Sequence, residues 1–173
     1  MTSVTSTSLQ ELIDRADARC LAAAGLACLD RCLPLLAPER SEVLRPVWAA
    51  VARGDGGAWT EAVGKARVEL DGAGDASDET AALVRGMLDG VPAEWSEGPL
   101  RVWAGQCAQA ALAVHARYDA TEAGPLHAGE LRRQQAVLEA AAHGPTGLRR
   151  ARELSIEGGR VLRAVVSRRA RTA

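Results

Sequence analysis

The chain has 173 residues, 47% hydrophobic and 25% charged, with a formal net charge of −1. That is long enough for one domain with a proper core, and the near-neutral charge argues neither for nor against nucleic acid. Its longest apolar run, Cys20 to Leu29, is about half of what a bilayer-spanning helix requires.

Ala makes up roughly a fifth of the residues, whereas Phe is absent and Tyr occurs once. Ala is the best helix former, and the β-branched and aromatic residues that strands prefer are thin, so close-packed helices are expected. The opening MTSVTSTS lacks the basic and apolar regions of a signal peptide and reads as a disordered tail over residues 1–7. The expected location is cytoplasmic, with the four Cys as reduced thiols.

Ser8 is placed to cap a helix starting at Leu9, with Glu11 completing a capping box. Leu9, Leu12, Ile13, Ala16, Cys20, Ala23, Ala24, Ala27 and Cys28 follow at three- and four-residue steps, which predicts one long amphipathic helix ending or kinking at Pro34 and Pro38. A second helix is expected from Pro38 to Gly54, bent at Pro46, and a third from Ala58 to Leu70. The loop-like DGAGDAS, within 71–77, marks a possible division of the domain. Ser77 then caps a short helix containing Leu83, Val84, Met87 and Leu88. Pro99 opens a helix carrying Trp103, Cys107 and Val114, and another runs from the EAGP turn to about Ala142. The last fills roughly 146–169. No segment alternates with period two. The expectation is an all-α, single-domain bundle of six or seven helices over residues 8–173.

The stretch HARYDATEAGPLHAGE, residues 115–130, holds two of the three histidines. His115 and Asp119 stand four apart, and His127 and Glu130 three apart, on either side of the Gly-Pro turn. Folded as a hairpin, all four converge on a His/carboxylate set suited to Zn, Fe or Mn, or to acid–base chemistry. Ordinary capping of a polar turn is the competing reading, and bundle metal sites usually sit mid-helix. Cys20, Cys28 and Cys32 lie on one apolar stripe as small core residues; a thiolate site with Cys107 is the alternative, though C-x2-C spacing is missing. Trp48, Trp59 and Trp103 lie on apolar faces as core anchors. Trp95, in the acidic PAEWSEG turn, is either a binding hot spot or a cover for the end of the core.

Charge is unevenly spread. From Pro145 onward there are eight Arg against two Glu. On a helical wheel Arg152, Arg160, Arg163 and Arg171 all fall within about 60° of Arg149. Gly158 lies on the opposite, apolar side, where it would admit a neighbouring helix or bend its own. The arginines form either a solvated face or a docking strip for an acidic partner. No GxGxxG, P-loop, GxSxG, HExxH or CxxC motif occurs, and no cofactor is implied.

The segment CLDRCLPLLAPERSEVLRPVWAAVARGDGGAWTEA, residues 28–62, resembles the opening of small all-helical immunity proteins of bacterial toxin systems, through Leu33-Pro34-Leu35, Arg45-Pro46 and Gly54. It departs from them in lacking an aromatic-acidic pair after Leu-Pro-Leu and acidic residues directly before Arg-Pro. The resemblance implies a non-catalytic helical inhibitor that binds a protein. The alternatives are a second copy of the chain as partner, a metal-dependent helical enzyme, and a small-molecule pocket lined by the tryptophans.

Overall fold

The computed structural model describes residues 2–122 and 124–172, with side chains from Leu9 onward. Eight α-helices follow in chain order: α1 Thr2–Arg15, α2 Ala18–Cys32, α3 Arg45–Arg53, α4 Gly56–Glu69, α5 Glu79–Asp89, α6 Glu97–Tyr118, α7 Pro125–Ala141 and α8 Gly144–Thr172. A short 3-10 turn, Leu33–Leu35, extends α2. No strand occurs among the described residues, so the fold is an all-α bundle.

The extra helix arises at Asp17. Its carboxylate accepts a hydrogen bond from the Cys20 N–H at 2.9 Å, so an N-cap interrupts the helix expected from Leu9 to Pro34. α1 is already helical upstream of Leu9, within the stretch expected to be a tail. The Ser8 cap depends on a side chain outside the described residues. Pro46 opens α3 rather than bending it, because the missing Pro N–H costs nothing in a first turn. Asp78, not Ser77, caps α5, and Asp55 caps α4. Gly54, in the left-handed region at φ 63°, ends α3.

α2 is the axle of the bundle. It packs against α6, α7 and α8 and also touches α3 and α5. Leu21, Ala22, Ala23, Leu26, Ala27, Leu29 and Cys32 are almost wholly buried. A helix apolar around most of its circumference belongs inside a core, and the small Ala residues let its neighbours close in. Trp59 lies between Trp95 and Trp103, with edge-on ring contacts at 5.4 and 5.8 Å. The three core indoles all donate: Trp48 to Asp30 Oδ2, Trp59 to the Pro92 carbonyl and Trp103 to the Met87 carbonyl.

Arginines tie the helix ends together. Arg101 on α6 donates to the Ile13 and Ala16 carbonyls, holding the α1–α2 junction. Arg67 reaches the Leu88, Asp89 and Val91 carbonyls beyond α5. Arg169 donates to the Arg117 and Tyr118 carbonyls and stacks over the Tyr118 ring.

α8 stays unbroken through Gly158-Gly159. A Cβ added at Gly158 would press on Arg31 Cδ and lie 2.9 Å from Arg133 Cδ. The glycine therefore gives two side chains passage between helices. Gly158→Ala should destabilise the protein by about 1–3 kcal/mol in urea denaturation through overpacking. Gly105→Ala, where an added Cβ meets nothing within 4 Å, should stabilise by about 0.5–1 kcal/mol because Ala suits a helix interior better.

Candidate functional site

Arg31 continues the inner stripe of α2, three residues after Cys28, and its side chain is wholly buried. Across the core, Glu130 on α7 meets it in two parallel hydrogen bonds: Nη2 to Oε1 at 2.6 Å and Nε to Oε2 at 3.1 Å. Glu130 also accepts from Arg133 Nη1 at 3.1 Å and Gln134 Nε2 at 2.9 Å. Burial by itself pushes the Glu130 carboxyl up, but the Arg31 guanidinium and these hydrogen bonds hold it below the ordinary carboxylate value. The same balance applies to Arg31: burial opposes its charge, and the facing carboxylate raises its pKa above the usual value.

His115, on α6, places Nε2 3.3 Å from Glu130 Oε2, without hydrogen-bond alignment. Its Nδ1 lies 2.7 Å from the Ala111 carbonyl. Only an N–H can face that oxygen, so the neutral ring carries its hydrogen on Nδ1. Burial keeps the His115 pKa below the ordinary value, with Glu130 as a partial counterweight. Arg31 Nη1, His115 Nε2 and Gln134 Oε1 remain buried without hydrogen-bond partners.

The His/carboxylate quartet expected at 115–130 therefore does not assemble. His115 and Glu130 meet, but Asp119 turns away and accepts the Leu126 and His127 N–H groups, each at 2.9 Å. A carboxylate committed to the first turn of α7 is a cap, as the competing reading held. His127 joins through its backbone. No group of three or more His, Cys, Asp or Glu side chains that could hold a metal ion occurs among the described residues. His115 and Glu130 are sealed from solvent, so an acid–base role would lack a route for substrate.

Cys20, Cys28, Cys32 and Cys107 are buried free thiols. Burial raises their pKa values, to about 12 for Cys20 and Cys28, which keeps them protonated and unreactive. The interior beside Trp59 and Trp103 leaves about 10 Å³, so these two indoles line a filled part of the core. Trp95 is partly buried against that core and covers one end of it.

The outer face of α8 differs in character. Arg149, Arg160, Arg163 and Arg171 are exposed and Arg152 is half-buried. Among the described residues none of the five forms an ion pair with a carboxylate. Val161 is 39% exposed, and the inner face is made by Leu148, Ala151, Ser155, Gly158, Gly159 and Leu162. Arg152, Arg160 and Arg163 line a cleft of about 240 Å³ between α8 and the segment 33–42. No protein-family model, curated protein or solved structure matches this chain, so its chemistry is read from its own geometry.

Arg31 is the residue that sequence reasoning missed. A lone arginine between Cys28 and Cys32 on an otherwise apolar stripe was the available signal, since such a charge needs a buried partner. Glu130→Gln should cost about 3–5 kcal/mol in chemical denaturation, because it leaves the Arg31 charge uncompensated. The pair Arg31→Met with Glu130→Leu should recover most of that loss. Stability should also fall on acidification. The unfolded imidazole titrates near 6.5 and the folded ring lower, so the unfolded chain binds more protons below about pH 6.5. Glu130 adds a further loss below about pH 4.3. Urea denaturation of His115→Gln should show a flatter profile than the parent between pH 7 and 5.

Proposed function

We propose that this chain is a non-catalytic binding protein that engages an acidic protein partner through the arginine face of α8, as an adaptor or an immunity-type inhibitor. The observation that carries the reading is that face itself: five arginines on one rigid helix, none with a carboxylate partner among the described residues. Like charges gathered in excess of their counter-ions favour an oppositely charged surface and speed its approach. The buried ionisable groups serve the reading indirectly. Arg31, His115, Glu130 and the four thiols are all committed to the interior, which leaves the surface as the place where function resides. The resemblance of residues 28–62 to immunity proteins points the same way.

No helix among the described residues is long and apolar enough to cross a membrane, and we place the protein in the cytoplasm. The alternative occupant of the face is a second copy of the chain. Glu39, Glu42 and Glu69, with Arg40 among them, border an open depression of about 410 Å³ whose net negative lining would complement the arginines of another molecule.

Cross-linking from α8 in the producing cells tests the reading. The parent should capture an acidic partner reproducibly, and Arg149→Glu with Arg171→Glu should reduce capture at least tenfold with unchanged helicity. Added salt should weaken the complex steeply. A monomeric protein that captures nothing, or capture indifferent to these substitutions, would remove the proposal.

A further inference from the structure

The cleft under α8 has a definite chemistry. Arg152, Arg160 and Arg163 come from the helix, and Asp30 and Glu42 face them from the other wall. Three guanidiniums against two carboxylates leave the lining with one net positive charge. Arg163 donates to the Pro38 carbonyl at 3.4 Å, and the Asp30 carboxylate accepts from Trp48 Nε1 at 2.9 Å. Arg152 is the exception: its Nε is buried and has no acceptor. The rest of the half-buried Arg152 side chain lines the cleft, close enough to Asp30 for its charge to favour that carboxylate. The Ser155 hydroxyl donates to the Ala151 carbonyl and is already committed.

Size and polarity narrow the ligand. At about 240 Å³ the cleft is smaller than pockets for drug-sized molecules, which begin at roughly 300 Å³. It suits one side chain or one small acid. Leu33, Pro34, Ala37 and Ile156 supply apolar wall, and Ile156 is 45% exposed at its margin. A single net charge matches a monoanion better than a phosphate dianion, which the two lining carboxylates would repel.

We propose that this cleft is a carboxylate-binding site for a short aliphatic acid group, held by the Arg152, Arg160 and Arg163 guanidiniums with its aliphatic part on Pro34 and Ile156. Taken as the point where the acidic partner is gripped, it rests on the function proposed above; as a carboxylate site it stands on its own lining. The group comes from an acidic side chain of the partner or from its chain terminus.

The test is NMR titration of the full-length, 15N-labelled protein with N-acetyl-L-leucine, whose α-carbon bears one carboxylate and an isobutyl side chain. Amide signals of Ser155, Ile156 and Gly159 and the Trp48 indole N–H should shift together and saturate. N-acetyl-L-leucinamide and inorganic phosphate should bind at least tenfold more weakly. Arg160→Glu with Arg163→Glu, at two exposed positions, should abolish the shifts without loss of helicity, and Arg152→Lys should weaken binding several-fold because an ammonium lacks the planar fork. Equal binding of the neutral amide, tighter binding of phosphate, or shifts confined to a second, larger cleft of about 510 Å³ lined by Arg15, Arg19, Glu139 and His143 would overturn the site. If N-acetyl-L-leucine binds while no partner is captured at α8, the carboxylate site stands and the partner reading fails. If a partner is captured and neither Arg160→Glu with Arg163→Glu nor N-acetyl-L-leucine affects it, the site fails and the partner reading stands. Peptides with free and amidated termini, with and without an internal Glu, distinguish side chain from chain end.

Discussion

The pairing of Arg31 with Glu130 constrains everything around it. A charge on the most buried helix of a bundle is tolerable only when an opposite charge arrives in good geometry and the remaining lone pairs are satisfied. Glu130 meets that requirement with donors from Arg31, Arg133 and Gln134, and the Gln134 amide also reaches the Ala108 carbonyl of α6. The partners come from α2, α6 and α7, so the cluster fixes how these three helices are rotated against one another. Gly158 brings in α8, since Arg31 and Arg133 pass where its side chain would be. An apolar core of Ala and Leu tolerates several rotations of each helix; a bidentate ion pair tolerates far fewer.

That rigidity bears on the surface. The cluster lies beneath α8, whose inner face is small and tightly fitted and whose outer face is rich in arginine. Charges on a fixed helix present a defined pattern, so less ordering is lost when a partner binds. Other arginines serve a structural purpose by donating to carbonyls at helix ends, as Arg67, Arg85 and Arg101 do. Their abundance therefore does not mark a binding surface by itself. What separates Arg149, Arg160 and Arg171 from them is exposure without a carboxylate or carbonyl to hold among the described residues.

Much of the helical order was legible locally, because caps and periodicity act within a few residues. Trp48, Trp59 and Trp103 read correctly as core anchors for that reason. The misreadings have identifiable causes. Asp17 sits in an unbroken apolar rhythm, yet its side chain can close on the Cys20 N–H and divide the helix. Pro46 has the same appearance inside a helix as at its opening, and the choice depends on how segment 38–44 turns. Asp119 and His115 are four apart in sequence, but one caps the next helix while the other turns into the core.

Helix formation, the all-α class and the amphipathic character of α8 were set by near neighbours in the chain, through Ala content, three-to-four-residue spacing and the placement of Asp, Pro and Gly. The fate of each charge was decided only by folding. Arg31 and Glu130 are separated by 99 positions, and no local rule relates them. Whether an arginine becomes a buried ion pair, a clamp on a carbonyl or a free cation depends on which surface faces it once the helices have packed, because electrostatic partners are chosen by distance in space and by access to water.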